Sequence, residues 1–197
     1  MAQTKTRSNA AKAAQAPPAA ESKPPARRRI TKRKAVETLV RGHFEAIARH
    51  DLRAIAGNWR EDGVEDMVPT GVLRGRDEIV RQLADLFAAV PDLETTVKRV
   101  VAGDRQAAVE WHMAGTFSGS PYQGIEPTGK QVEIRGFELF EVEDEKFTAT
   151  TVYYDGLSFA RQVGMMPPQD SGAERAMKGA FNAVTKLRRT IDERRGG

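Results

Sequence analysis

The apolar residues of this chain change from helical spacing to an alternation of period two near residue 93, and that change restricts the folds open to it. Alternating segments run over 93–101, 107–117, 132–142 and 147–154, with turns or a Gly/Pro-rich loop between them. Such alternation indicates strands with one buried face, and short turns join neighbouring strands in antiparallel order. The sequence therefore predicts an antiparallel meander of four strands.

The part of the chain before the meander shows helical spacing in three places. Helices are predicted over 35–50, over 52–59 behind the capping residue Asp51, and over 77–90. The stretch 62–71, rich in Asp, Gly and Pro, is predicted to be irregular. Helices followed by a meander indicate a single α+β domain.

The two ends of the chain differ from its middle in charge. Residues 1–34 hold ten Lys or Arg and one Glu, with almost no large apolar residue, so we expect a disordered basic tail. Such a tail could hold an acidic partner, RNA or DNA, or serve only as a solubilising segment. Residues 35–165 form the predicted domain, 166–172 a linker and 173–197 an amphipathic helix.

Several classes of protein are disfavoured by composition and motifs. The chain has no cysteine, which excludes disulfides and thiolate metal sites, and no apolar run long enough to span a membrane, so we expect a cytoplasmic protein without membrane contact. The segment 124–130 resembles a phosphate loop, but Gln131 replaces the required Ser or Thr. No cofactor or metal is predicted.

Three polar side chains stand out as candidates for a site. Glu138 is the one charge on the apolar face of its strand, where lost hydration raises a carboxyl pKa. His43 belongs to the apolar stripe of the first helix, and Asp66 lies in the stretch predicted to be irregular. Each also has a structural interpretation: an ion-paired rim residue, a core histidine and a solvated loop acid.

The same residues carry a resemblance to the nuclear transport factor 2-like superfamily, in particular to ketosteroid isomerase and SnoaL-like polyketide cyclases, over about 36–164. The segments 64–66 and 74–79 resemble the part that contributes the isomerase's general base, and 135–140 resembles the strand that contributes an acid donating to the substrate oxygen. Two further parts of the sequence resemble motifs of the cyclases: the segment 115–116 taken together with 124–130, and the segment 154–156. The resemblance implies a cone-shaped curved antiparallel sheet packed against N-terminal helices around a pocket, and a homodimer.

The resemblance also implies a chemistry. Asp66 matches the base, Glu138 the protonated donor and His43 the second donor of a cofactor-independent isomerase or cyclase that acts on a small hydrophobic carbonyl compound through an enolate. The predicted apolar slot for that substrate is made of Trp59, Trp111, Met113, Phe117 and Phe140. The competing hypothesis is a non-catalytic small-molecule-binding or protein-assembly domain of the same fold, favoured by the basic tail and the amphipathic last helix.

Overall fold

The computed structural model describes residues 26–195, which form five helices and six strands. In chain order the elements are α1 Ala26–Ala48, α2 Leu52–Asn58, β1 Trp59–Met67, β2 Gly71–Arg74, α3 Arg76–Ala89, β3 Glu94–Ala102, β4 Gln106–Phe117, β5 Lys130–Glu143, β6 Lys146–Tyr154, α4 Gly156–Val163 and α5 Gly172–Arg195.

The strands form one sheet in the order β2-β1-β6-β5-β4-β3. The four predicted strands are β3 to β6, and each pairs antiparallel with its neighbour in sequence, so the meander is confirmed. Register shifts between Val97 and Arg99 and between Glu141 and Val142 interrupt the ladders. Such irregularities bend a strand and increase its twist, which suits a curved sheet. The predicted α+β fold is confirmed.

The stretch predicted to be irregular, 62–71, instead contributes to two further strands. β1 runs parallel to β6, and β2 pairs antiparallel with β1 at the edge of the sheet. Sequence patterning missed β1 because its buried alternate positions include Gly63 and Glu65, so no apolar alternation is visible. The correction matters for the site, because successive side chains of a strand point to opposite faces of the sheet.

The first helix begins earlier than predicted. Residues 26–34, expected to belong to a disordered tail, form the start of α1, and the rest of that predicted tail lies outside the described residues. Val36, Val40, Phe44 and Ile47 are buried, as the helical spacing indicated. Packing of this stripe stabilises the helix, and Lys and Arg are good helix formers that allow it to extend.

A cluster of aromatic side chains fills the space between α1 and the sheet. Phe44, Trp59, Phe140 and Phe147 are all buried, and the rings of Phe140 and Phe147 lie 4.8 Å apart. Burying one large apolar side chain contributes about 1.5–3 kcal/mol, so this cluster is a major part of the core. It also surrounds one polar ring, that of His43.

The C-terminal helices are joined by 164–171, which has no regular structure. Asp155 caps α4 by accepting a hydrogen bond from Ser158 N, and α4 ends at Gly164 in a left-handed conformation. At the start of α5 the buried carboxylate of Glu174 accepts a hydrogen bond of 2.6 Å from Arg161 on α4. Between residues 26 and 195, no helix combines the length and the hydropathy that a membrane span requires.

Candidate functional site

A cavity lies between the inner face of the sheet and the helices. Its wall is mostly apolar and includes Leu83 and Leu86 from α3, Met113 from β4, Ile134 from β5 and Phe159 from α4. With the solvent space at its open mouth included, its empty volume is about 980 Å³. A mostly apolar cavity with a few convergent polar groups is the usual form of a small-molecule site.

Two carboxyl groups reach into this cavity from strands that do not pair with each other. Glu65 is on β1 and Glu138 on β5, with 8% and 7% of their surfaces exposed. The strand β6 lies between them, and its Thr150 is the direct neighbour of Glu65 in the ladder. Thr150 also faces Phe140, two residues beyond Glu138. The sheet therefore brings both acids to one place beside a single hydroxyl.

Burial raises the pKa of both carboxyl groups, because the apolar wall disfavours a charge. The pKa of Glu65 is raised to about 7 by loss of hydration. The pKa of Glu138 is raised well above its usual range, first by burial and then by the nearby charge of Glu65. The Thr150 hydroxyl opposes both shifts. It makes no hydrogen bond of normal geometry, so burial dominates. Near neutral pH the pair therefore holds more protons than two ordinary glutamates would.

His43 lines the same cavity from α1, with 3% of its surface exposed. Burial lowers its pKa to about 3, so the ring is neutral at physiological pH. The Nδ2 atom of Asn58 lies 3.3 Å from His43 Nδ1. Because an amide nitrogen can only donate, Nδ1 accepts this hydrogen bond and the ring proton is on Nε2. His43 can therefore act as a neutral hydrogen-bond donor.

A model of SnoaL-like polyketide cyclases matches residues 37–163 of the sequence. The chain belongs to this family. The match covers the helices and strands that form the cavity, and it confirms the resemblance found in the sequence. No curated protein sequence matches the chain.

Solved structures share the fold of this SnoaL-like chain. AclR of Streptomyces galilaeus, designated a hydroxylase, has a TM-score of 0.63 and 21% identity over 84% of this chain and 99% of its own. A protein of Xanthomonas campestris designated a polyketide cyclase has a TM-score of 0.59 and 21% identity over 68% and 99%. One of Kribbella flavida designated a ketosteroid isomerase has a TM-score of 0.50 and 18% identity over 63% and 80%.

The SnoaL-like domain does not bring Asp66 to the cavity. Asp66 is half-buried and absent from the cavity wall, whereas its neighbours Glu65 and Met67 belong to it. The expectation of an irregular segment was wrong here, because in a strand the alternation that turns Glu65 inward turns Asp66 away. Glu65 therefore takes the place beside Glu138 that the sequence had suggested for Asp66.

The predicted apolar slot is made only in part of the expected side chains. Trp111, Met113 and Phe117 line the cavity. Trp59 and Phe140 do not line it, and their predicted placement is corrected. Both rings are buried in the aromatic cluster and pack against His43, so they do not reach the cavity wall. Among the described residues, no group of three or more His, Asp or Glu is arranged to hold a metal ion.

Sequence reasoning missed polar residues that the SnoaL-like fold also places at the cavity. Tyr122 and Gln123 come from the connection between β4 and β5, and Tyr154 from the end of β6. The alternation of β6 puts Val152 and Tyr154 on one face, so Tyr154 could have been found from the pattern. The position of a residue in a long connection has no such periodic signal.

Proposed function

We propose that this SnoaL-like domain is a cofactor-independent isomerase or cyclase that acts on a small hydrophobic carbonyl compound through an enolate. The observation that carries the proposal is the pair of buried carboxyl groups, Glu65 and Glu138, in an otherwise apolar cavity. Two acids whose surroundings separate their protonation states can supply one base and one acid at the same pH.

In the proposed reaction, the Glu65 carboxylate removes a proton from a carbon next to the substrate carbonyl. The electrons of that C–H bond form the enolate, whose oxygen accepts hydrogen bonds from protonated Glu138 and from His43 Nε2. In an isomerisation, the proton then returns from Glu65 to the same or another carbon. In a cyclisation, the enolate carbon instead attacks a second carbonyl and closes a ring, and the alkoxide oxygen formed there takes the proton from Glu65. No step requires an oxidant, a reductant or a metal.

Glu65 is the proposed base because its pKa of about 7 allows the carboxylate to form near neutral pH. Glu138 is the proposed acid because burial and the Glu65 charge both hold its proton. A neutral carboxylic acid that donates to an enolate oxygen is the arrangement known from ketosteroid isomerase. Asp66, the base suggested by the sequence, has no part in this proposal.

Proton exchange tests the chemistry without knowledge of the natural substrate. Cyclic ketones such as 2-tetralone are incubated with the protein in D₂O, and the loss of the proton signal next to the carbonyl is followed by NMR. We expect catalysed exchange, and we expect Glu65→Gln to reduce its rate by roughly 100-fold or more because the base is lost.

Asp66→Asn is the matched control, since it neutralises the adjacent carboxylate outside the cavity. We expect its exchange rate to stay within about twofold of the unsubstituted protein. Exchange that is lost with Asp66→Asn and retained with Glu65→Gln contradicts the proposed roles. Absence of catalysed exchange over the whole ketone panel contradicts the enzymatic proposal itself.

A second candidate function is binding or assembly without catalysis. It is favoured by α5, where Met177, Phe181, Val184, Leu187 and Ile191 expose their apolar side chains along one helix. Tight binding of a ring compound without any proton exchange supports this alternative.

A further inference from the structure

A set of polar side chains surrounds the mouth of the cavity, and the acid–base proposal gives it no role. We call it the mouth cluster: Gln82 from α3, Tyr122 and Gln123 from the connection 118–129, and Tyr154 from β6. Tyr122, Gln123 and Tyr154 line the cavity. Gln123 also lines an adjoining depression on the surface. Gln82 lines this depression too, together with Thr70 and Gly71 of the β1–β2 turn. The cluster therefore stands where the cavity meets solvent.

The connection that carries Tyr122 and Gln123 is fixed to the end of α3. Gly119 N donates to Ala89 O at 3.0 Å and Ser120 N donates to Ala88 O at 2.9 Å. A side chain at Gly119 would collide with the Ala88 carbonyl, so this close approach requires glycine. Tyr122 and Ile125 exchange two backbone hydrogen bonds of 3.0 and 2.9 Å. The position of Tyr122 is therefore set before a ligand enters.

The Tyr122 hydroxyl retains a proton that it can donate. Gln82 Nε2 donates to the Tyr122 oxygen at 2.6 Å, and an amide nitrogen cannot accept a hydrogen bond in return. Burial, followed by the nearby Tyr154, raises the pKa of Tyr122 well above its ordinary value, and burial also raises the pKa of Tyr154. Both phenols therefore keep their protons. Because the half-buried Tyr122 hydroxyl accepts a hydrogen bond from Gln82, its own proton is available for donation to a ligand.

The mouth cluster and the carboxyl pair lie at different depths along the same face of the sheet. Tyr154 is opposite Gly136 in the β5–β6 ladder, and Glu138 is opposite Val152. Two residues along a strand correspond to about 7 Å of backbone. At these two levels the cavity wall is apolar, with Trp111 opposite Gly136 and Val152 opposite Glu138. The cavity thus offers hydrogen bonds at two separated places and apolar contact between them.

We infer that the mouth cluster binds a second oxygen of the ligand, so that the site takes a ring compound with one oxygen at the carboxyl pair and another at Tyr122. This inference rests on the proposed function and narrows its substrate class to bifunctional ring compounds, such as hydroxylated or diketone ring systems. A compound with a single oxygen does not form the hydrogen bond at the mouth, so it should bind less tightly than one with two.

The probes for the test are 2-naphthol and 2,6-dihydroxynaphthalene, which differ in one hydroxyl on the far ring. Dissociation constants are measured with the full chain at neutral pH from the fluorescence of the probes. We expect the diol to bind about fivefold more tightly, the value of one net hydrogen bond. In Tyr122→Phe we expect the two constants to agree within about twofold, with 2-naphthol binding unchanged.

Tyr153→Phe is the matched control, because it makes the same chemical change on the outer face of the sheet, where Tyr153 is 47% exposed. It should retain the preference for the diol. Gln123→Ala is a second variant of the cluster and should also reduce the preference. A preference that persists in Tyr122→Phe, an equal weakening of both probes, or no preference in the unsubstituted protein overturns the inference.

The two experiments distinguish a failure of the proposed enolate chemistry from a failure of the proposed binding site at the mouth. If the unsubstituted protein shows no diol preference but catalyses normal proton exchange on 2-tetralone, the mouth site alone is overturned. A normal preference without exchange overturns the enolate proposal and retains the binding site.

Discussion

The stability of the fold should depend on pH through three buried side chains, Glu65, Glu138 and His43. This dependence can be measured without a substrate. Between its ordinary pKa of 4.5 and its folded value of about 7, Glu65 is ionised in the unfolded chain and protonated in the folded one. The free energy of unfolding therefore falls as pH rises through this window, and Glu138 adds to the decline. His43 acts in the opposite sense between about 3 and 6.5.

A difference measurement separates the carboxyl groups from His43. The free energy of unfolding is determined by denaturant titration across pH 4.5 to 7 for the unsubstituted protein and for the double variant Glu65→Gln, Glu138→Gln. Subtracting the two profiles should leave a contribution that decreases with rising pH. A flat difference would mean that both carboxyl groups have ordinary pKa values in the folded protein, and the raised pKa values would be wrong.

Gly136 is the residue that makes room for Trp111 in the cavity wall. The two residues are directly opposite in the β4–β5 ladder, and a side chain at Gly136 would collide with the indole ring. Gly136→Ala should lower the free energy of unfolding by about 1–3 kcal/mol through overpacking, measured by denaturant titration. It should also weaken binding of ring compounds, because the indole is pushed toward the cavity.

The control for Gly136→Ala is Gly179→Ala in α5, where nothing lies within 4 Å of the added atom. Alanine is the better helix former, so this variant should be neutral or more stable by up to about 1 kcal/mol. Equal destabilisation by both variants would contradict the packing explanation.

At the scale of elements, α5 depends on one buried side chain for its attachment. Glu174 binds Arg161 of α4, Lys178 of its own helix and the backbone N of Asp170. The hydrogen bond from Asp170 N, then Lys178 and Arg161, hold its pKa at about 2, so the carboxylate is present at neutral pH. The remainder of α5 has exposed apolar side chains and no comparable anchor among the described residues.

Glu174→Ala should release α5 and make the segment 164–171 more accessible to proteases. Limited proteolysis followed by mass spectrometry measures the rate of cleavage there. Glu193→Ala is the control, since Glu193 forms an exposed ion pair with Arg189 on the same helix. Similar cleavage rates for the two variants and the unsubstituted protein would show that Glu174 does not hold the helix.

At the scale of the whole molecule, the outer face of the sheet is the proposed contact of a homodimer. Val101, Phe137, Leu139 and Tyr153 expose apolar surface there, on three of the six strands. A contiguous exposed apolar surface on a sheet is typical of a protein interface. The alternation that buries Glu138 necessarily turns Phe137 and Leu139 to this side.

Leu139→Lys should convert a dimer into a monomer in sedimentation velocity measurements, because it places a charge in an apolar contact. Phe181→Lys is the control: Phe181 is 70% exposed, yet it lies on α5 and not on the sheet. Dissociation caused by Phe181→Lys alone would assign the contact to α5. A monomer before any substitution would contradict the dimer.

The strongly periodic parts of this molecule could be predicted, and the aperiodic parts could not. The alternation of β3 to β6 and the spacing of α1 depend on which side chains are buried, and burial leaves a periodic trace in the sequence. The strand β1 has no such trace, because Glu65 and Gly63 occupy two of its buried positions. Its parallel pairing with β6 joins segments about 85 residues apart, which no local pattern contains.

What the sequence by itself determined is the fold class, the family and the single acid on an apolar strand face, Glu138, since each follows from local periodicity or from a motif. Tertiary structure alone decided which second acid meets Glu138. The choice between Glu65 and Asp66 depends on whether their segment is a loop or a strand, and that depends on its pairing with β6. A shift of one residue reverses the face on which a side chain lies, so the partner strand selects the site.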